Sequence, residues 1–406
     1  MPNINLEELS ISLHSLTIFK TVKDDSVVKA LIDYIDTYYS LSKDLNASSM
    51  VEKYSNILFN LYETGHEHLS SHICEIVSNN ENIFIKRLGA KITPSPLIQH
   101  NVEQELDILN KLANLDSNDI LPFDQVEYLP AWKLKPIDLK KEYLERANNI
   151  EKYGYGIYAK YHMFFINEQN EIVPVKNPDP IRLSDLIDYK YEQGIIIDNT
   201  KALLAGKPAS NILLTGDAGT GKSSTVKAVC NELYKEGLRI LEVRKEQLRA
   251  LPALLDELTT NPLKFIIFID DLSFQEDDDN FSSLKAILEG SISAKSKNVV
   301  IYATSNRRHI IREKFSDRED DLSKNDTMQE SVSLSERFGI QIWFDRPNKE
   351  TYLDIITHLL DENNIEYDKE IVKVAAERYA LSRANRSARA AKQFVDQVIS
   401  NSIKVK

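Results

Sequence analysis

The chain has 406 residues, of which 42% are hydrophobic and 28% charged, and a formal net charge of −12. That length accommodates two or three domains, and the acidity excludes a general nucleic-acid coat while leaving room for a local basic patch. No apolar run approaches the roughly 20 residues of a membrane-spanning helix.

The first residues, MPNINLEELSISLHS, lack the basic region and apolar core of a secretory signal. Cys74 and Cys230 give no disulfide framework and fit a reducing cytoplasm, the expected location. Residues 1–150 read as helix after helix. Val27, Val28, Leu31, Ile32, Ile35, Tyr38 and Tyr39 recur at three and four, as do Val51, Tyr54, Leu58 and Leu61, then Val102, Leu106, Leu109 and Leu112. An acidic, mostly α-helical domain is expected there. Within it, His66, His68, His72 and Cys74 lie in HEHLSSHIC. His68 and His72 have metal-ligand spacing, but the pattern H-E-x-x-H fails at Ser70, so surface histidines are expected.

Residues 153–176 are rich in aromatic and β-branched types around the polar turn Asn167 to Asn170, which predicts a β-hairpin packed on a neighbouring domain. With Pro174, Pro178 and Pro180 it forms an expected hairpin and linker over 151–180. From Ile181 short apolar strands alternate with helices, predicting a parallel sheet covered on both faces over 181–346. Expected strands are Ile212 to Thr215, Arg239 to Val243, Lys264 to Asp270, Asn298 to Thr304 and Ile340 to Phe344. Beyond Pro347 only helices are expected, Glu350 to Leu360, Lys369 to Ala380 and Arg386 to Ser400, as a lid over 347–406. The Asp/Ser-rich stretches 275–283 and 316–335 read as exposed loops.

The chemistry is densest at Gly216, Asp217, Ala218, Gly219, Thr220, Gly221, Lys222, Ser223 and Ser224, which fit G-x-x-x-x-G-K-[ST] between an expected strand and helix. A polyphosphate needs several N–H donors turned inward, and glycine lets the backbone curl and approach that closely. The helix that follows offers its unsatisfied N–H groups and positive dipole end. Lys222 adds a charge for the β- and γ-phosphates and Ser223 a hydroxyl for magnesium. About fifty residues on, the apolar run Phe265 to Ile269 delivers Asp270 and Asp271 to the edge of the sheet where nucleotides bind. Asp270 is the expected magnesium partner through water, and Asp271 the residue that polarises attacking water. The strand from Val299 ends in Asn306, which can orient water or touch the γ-phosphate, with Ser305 as the alternative. Arg307, Arg308, Arg312 and Lys314 follow and can form a solvated face or a partner contact. Arg337 precedes the last strand, from where its planar fork could reach a neighbouring subunit's γ-phosphate. Arg386 and Arg389 flank the start of the final helix, and one of them is expected to cover the phosphates.

Together these stations, over 181–406, resemble the AAA+ family of ring-forming ATPases. The resemblance implies an αβα nucleotide-binding module with a helical lid, binding ATP and Mg2+, with Walker A at 216–223, Walker B at 265–271, sensor 1 at Asn306, an arginine finger at Arg337 and sensor 2 near Arg389. The segments NTKALLAGKPASNILLTGDAGTGKSS, FIIFIDDLSF, YATSNRRH, SLSERFG and RSARAAKQFVDQ look like a bacterial family of single-module AAA+ ATPases without an established role. The same resemblance places Leu186 to Tyr189 at the adenine. Asp271 departs from the commoner glutamate by one methylene, as in the paired aspartates of replication initiators. The expected function is ATP hydrolysis in a homo-oligomer acting on an unidentified macromolecule. Two rivals remain open: an ATP-dependent nucleic-acid-binding switch of the initiator type, and a protein-remodelling scaffold that grips its partner through residues 1–150.

Overall fold

The computed structural model describes residues 5–39, 47–121, 128–274, 279–289, 297–306, 336–383 and 385–405. The chain divides into two compact units, residues 1–160 and 161–406.

All the regular secondary structure of the first unit's described residues is helical. Its helices are α1 (Leu6–His14), α2 (Ser26–Tyr39), α3 (Ala47–Glu63), α4 (Leu69–Ser78), α5 (Ile83–Gly89), α6 (Pro96–Ala113), α7 (Leu139–Asn148), α8 (Ile150–Tyr153) and α9 (Ile157–Lys160). Local chemistry sets several starts: Asn82 caps α5, Ser95 caps α6 with Pro96 in its first turn, and Asp138 caps α7. The apolar stripes of α2, α3 and α6 meet in one core with Phe19, Tyr34, Tyr54 and Trp132. Tyr38 and Tyr39 continue the spacing of α2 but are exposed.

The second unit is built on a seven-stranded sheet in the order β2-β1-β4-β5-β6-β3-β7. The strands are β1 (Met163–Ile166), β2 (Ile172–Pro174), β3 (Ile212–Gly216), β4 (Leu238–Glu242), β5 (Lys264–Ile269), β6 (Val299–Ser305) and β7 (Ile340–Phe344). From β1 to β7 every pairing is parallel, and β2 alone adds antiparallel at the edge. The helices are α10 (Lys190–Leu204), α11 (Lys222–Leu233), α12 (Leu251–Thr259) and α13 (Asp279–Glu289), then the lid helices α14 (Lys349–Glu362), α15 (Lys369–Ser382) and α16 (Ala388–Ile399). The expected αβα module with a helical lid is therefore present. Fully buried Ile266, Phe268, Leu214 and Tyr302 show why the strands read as continuous apolar runs: both faces are covered. The lid has its own cluster around Tyr352, Ile356, Ala376 and Phe394.

The hairpin requires a correction. It spans 163–174 rather than starting at 153, because residues 157–160 are helical. It is also no separate linker, since Met163 to Phe165 pair in parallel with Ile240 to Glu242 and extend the sheet. The final helix starts at Ala388 rather than Arg386, because the Ser387 hydroxyl accepts from Ala390 N and caps it.

Candidate active site

Strand β3 ends at Gly216 and α11 begins at Lys222, so the loop between them sits at the carboxyl edge of the sheet. Gly216 has φ +139°, and a Cβ there would lie 2.2 Å from the Phe344 carbonyl oxygen of β7. Gly219 has φ +82°, and its Cβ would lie 2.9 Å from Ser387 Oγ and 3.1 Å from Arg389 Cβ. Glycine is thus demanded at the first by the neighbouring strand and at the second by the lid. Gly221, at φ +94°, caps α11. Thr220 Oγ1 donates to the Asp217 carbonyl at 2.9 Å and ties the turn across itself.

Lys222 is buried, with its ammonium donating to the Gly216 and Asp217 carbonyls at 2.8 Å each and to Asn306 Oδ1 at 3.0 Å. Burial pulls its pKa below the ordinary 10.5, and the charge of Arg389 adds to this, while Asp270, Asp217 and Asp271 oppose it. The Ser223 hydroxyl donates to Asp270 Oδ1 at 2.6 Å. Asn306 uses its other end, Nδ2, to donate to Asp271 Oδ1 at 2.7 Å. The sheet order explains this convergence: β5, carrying the aspartates, β6, carrying Asn306, and β3, carrying the loop, are consecutive neighbours. Hydroxyl and carboxylate oxygens 2.6 Å apart are a hard donor set that fits Mg2+, and the inward turn with Lys222 fits a polyphosphate.

Among the other expected residues, Ser305 is fully buried and its hydroxyl has no hydrogen-bond partner among the described residues, so Asn306 faces the loop instead. Arg389 meets the loop through its N–H, which donates to the Gly219 carbonyl at 3.3 Å. Arg386 is turned into the lid, 3.0 Å from Glu377 Oε2. Arg337 is not at this edge. In the parallel pair β3–β7, Ile212 lies opposite Ile340 and Gly216 opposite Phe344, so Arg337 is at the amino end and the loop at the carboxyl end. Four residues of strand separate those ends by about 13 Å, and the guanidinium pairs with Glu289, Nε donating at 2.8 Å. Leu186 to Tyr189 link lid and sheet: Ile187 packs on the lid cluster and the Tyr189 ring lies 4.8 Å from that of Phe344. Arg307, Arg308, Arg312 and Lys314 lie outside the described residues.

The histidines of the cluster turn to separate partners. His66 bonds Glu75 at 2.8 Å, His68 the Lys133 carbonyl at 2.9 Å and His72 Asp25 at 2.9 Å, and no group of metal ligands occurs among the described residues. His72 also corrects the expectation of surface histidines, since it is only 4% exposed. Burial pushes the thiols of Cys74 and Cys230 up to about 11 and about 12, so neither is a ready nucleophile. No helix of the described residues is long and apolar enough to cross a membrane.

A family described as "Protein of unknown function (DUF815)" matches residues 158–402, the sheet, the loop and the lid. The chain belongs to that family. Its hairpin, phosphate loop and lid therefore form one DUF815 module, and the helical unit lies before it. Comparison with curated proteins finds no match. Similar solved structures include a Thermotoga maritima RuvB Holliday junction branch migration motor at 16% identity and TM-score 0.38, covering 54% of this chain and 65% of that one. AMPPCP-bound DnaA from Aquifex aeolicus shares 18% identity at TM-score 0.38, covering 55% and 67%. The E. coli MS115-1 HORMA:CdnC:Trip13 complex shares 13% at TM-score 0.37, covering 57% and 94%.

Three residues of the DUF815 module escaped the sequence reading. Buried Thr304 donates to Asp270 Oδ1 at 2.5 Å and accepts from Asp271 N at 2.9 Å, fixing both aspartates. Its place two residues before Asn306 was the only signal. Ser387 packs on Gly219, and Arg346 Nε donates to Asp217 Oδ2 at 2.5 Å. Both contacts arise from tertiary approach, which no spacing along the chain encodes.

Proposed function

We propose that this protein is an ATPase that binds Mg-ATP at the 216–224 loop, hydrolyses it within a homo-oligomer, and couples the cycle to an unidentified macromolecular partner. The observation that carries this reading is the convergence of Lys222, Ser223, Asp270, Asp271 and Asn306 at one sheet edge. The loop N–H groups and Lys222 bind the phosphates, and Ser223 and Asp270 hold Mg2+, which when bound neutralises charge on the β- and γ-oxygens. Asp271 and Asn306, hydrogen bonded to each other, hold the attacking water and accept its proton at the Asp271 carboxylate. Asp271 has φ +53°, a left-handed backbone position uncommon outside glycine and of the kind that clusters at functional sites. Arg389 covers the phosphates from the lid.

Arg337 acts in trans. What supports this reading is the strand's length between Arg337 and its own loop, and on assembly the guanidinium would exchange Glu289 for the neighbour's phosphate.

The test is an ATPase assay on the full chain, with its mass measured in ADP and in a non-hydrolysable analogue. Lys222→Ala is expected to lose nucleotide binding by about 100-fold or more, the loss of a desolvated charge contact to phosphate. Arg337→Ala is expected to keep binding and lose turnover by about 1000-fold. Full turnover in the Arg337 variant would sink the trans assignment, and unchanged binding in the Lys222 variant would sink the site.

A further inference from the structure

A phosphate loop gathers positive potential from its N–H groups, its lysine and the helix that follows. In this chain the residue directly after Gly216 is an acid. Asp217 also gives its carbonyl to Lys222 at 2.8 Å, which puts it beside the group that serves the γ-phosphate end. Its carboxylate is one of three that bear on Lys222. Left uncompensated, that charge opposes the ligand the loop is shaped for.

The counter-charge comes from the root of the lid. Phe344 lies opposite Gly216 in the β3–β7 register, and Arg346 follows two residues later, immediately before Pro347 and the lid helix α14. There Arg346 Nε donates to Asp217 Oδ2 at 2.5 Å. The residue between is fixed separately, since Asp345 accepts from Trp343 Nε1 through its side chain, at 2.5 Å, and from the Tyr189 hydroxyl through its carbonyl. Arg346 is 57% and Asp217 45% exposed, so as a structural tie the pair contributes little to stability. Its consequence is electrostatic and falls on the loop.

We propose that Arg346 is a positioning residue for the polyphosphate: by pairing with Asp217 it makes the loop acceptable to a nucleoside triphosphate, and any shift of the lid root that parts the pair disfavours that ligand. This rests on the nucleotide reading above. It gives the lid a way to bias the triphosphate over the diphosphate, because the charge lies at the γ end.

The test compares full-length wild type, Arg346→Gln, Asp217→Asn and the double variant by calorimetric titration with Mg-ADP and a Mg-bound non-hydrolysable ATP analogue, at low and high salt. Arg346→Gln is expected to weaken the analogue about tenfold and ADP about two- to threefold, with both losses shrinking at high salt. Asp217→Asn is expected to tighten the analogue about threefold. The double variant is expected to return close to wild type, because it removes both charges of a pair that sums to zero. A double variant as weak as Arg346→Gln, or equal losses for both nucleotides, overturns the inference. If Arg346→Gln does not fold, Asp217→Asn alone decides by whether it tightens the analogue relative to ADP. Wild type that binds neither nucleotide rejects the phosphate site itself, an outcome seen before any variant is compared.

Discussion

Two carboxylates show how differently the two units use charge. In the helical unit Glu105, only 6% exposed, accepts from the N–H groups of Thr17, Ile18 and Phe19 and from the Thr17 hydroxyl, at 2.6 to 3.1 Å. Both of its oxygens are used, and its charge is spent on closing a loop against α6. In the second unit Asp270 takes the hydroxyls of Ser223 and Thr304 on one oxygen, Oδ1. Its other oxygen has no partner among the described residues, at the mouth of a loop that holds three glycines at positive φ. A carboxylate satisfied by its own chain is structural, whereas one held at half capacity beside a glycine turn is available to a ligand.

The largest effect is expected at Gly216. Alanine there would need φ +139° and a Cβ 2.2 Å from the Phe344 carbonyl, so β3 and β7 must part. A loss of roughly 4 kcal/mol, with nucleotide binding abolished, is expected on thermal and chemical unfolding. A Gly216→Ala chain of wild-type stability would show that β7 yields freely. Next comes Glu105→Ala, which leaves three N–H groups without their acceptor and is expected to cost about 3 kcal/mol. That loss should fall on unfolding of the helical unit alone, with nucleotide affinity in the folded chain unchanged. A changed affinity would tie the two carboxylates together after all.

The second unit was the more legible in sequence, for a physical reason. Apolar strands buried on both faces are continuous runs, and all five expected strands from Ile212 onward appear within a residue or two of their expected ends. Phosphate-loop chemistry is local, so Gly216 to Ser224 could be read without knowing the fold. Thr304, Ser387 and Arg346 could not, because each acts on a segment that only folding brings near. The hairpin was legible as a hairpin, but its parallel pairing with β4, some 75 residues on, has no local signature. In the helical unit periodicity gave the elements, while the roles of Glu105 and His72 depend on partners 88 and 47 residues away.

The mildest expected effect concerns His72 and Asp25. Asp25 would be raised by its burial, but the His72 hydrogen bond and charge, with the N–H groups of Val28 and Val27, hold it below the ordinary 3.8. A carboxylate lowered in the folded state contributes stability that is present in full above its unfolded value. That contribution is lost as pH falls below 3.8 and through the folded value, because there the native state must take up the proton it had excluded. Asp25→Asn is therefore expected to cost about 2 kcal/mol at neutral pH and progressively less in acid, so that its unfolding curve converges on that of wild type below the ordinary carboxylate range. Calorimetry of the helical unit's transition in the full chain, from neutral pH down to about pH 2, reads that convergence. A variant that stays offset by the same amount throughout would place the pair's contribution in packing, and Asp25 would then differ from Glu105 in strength alone.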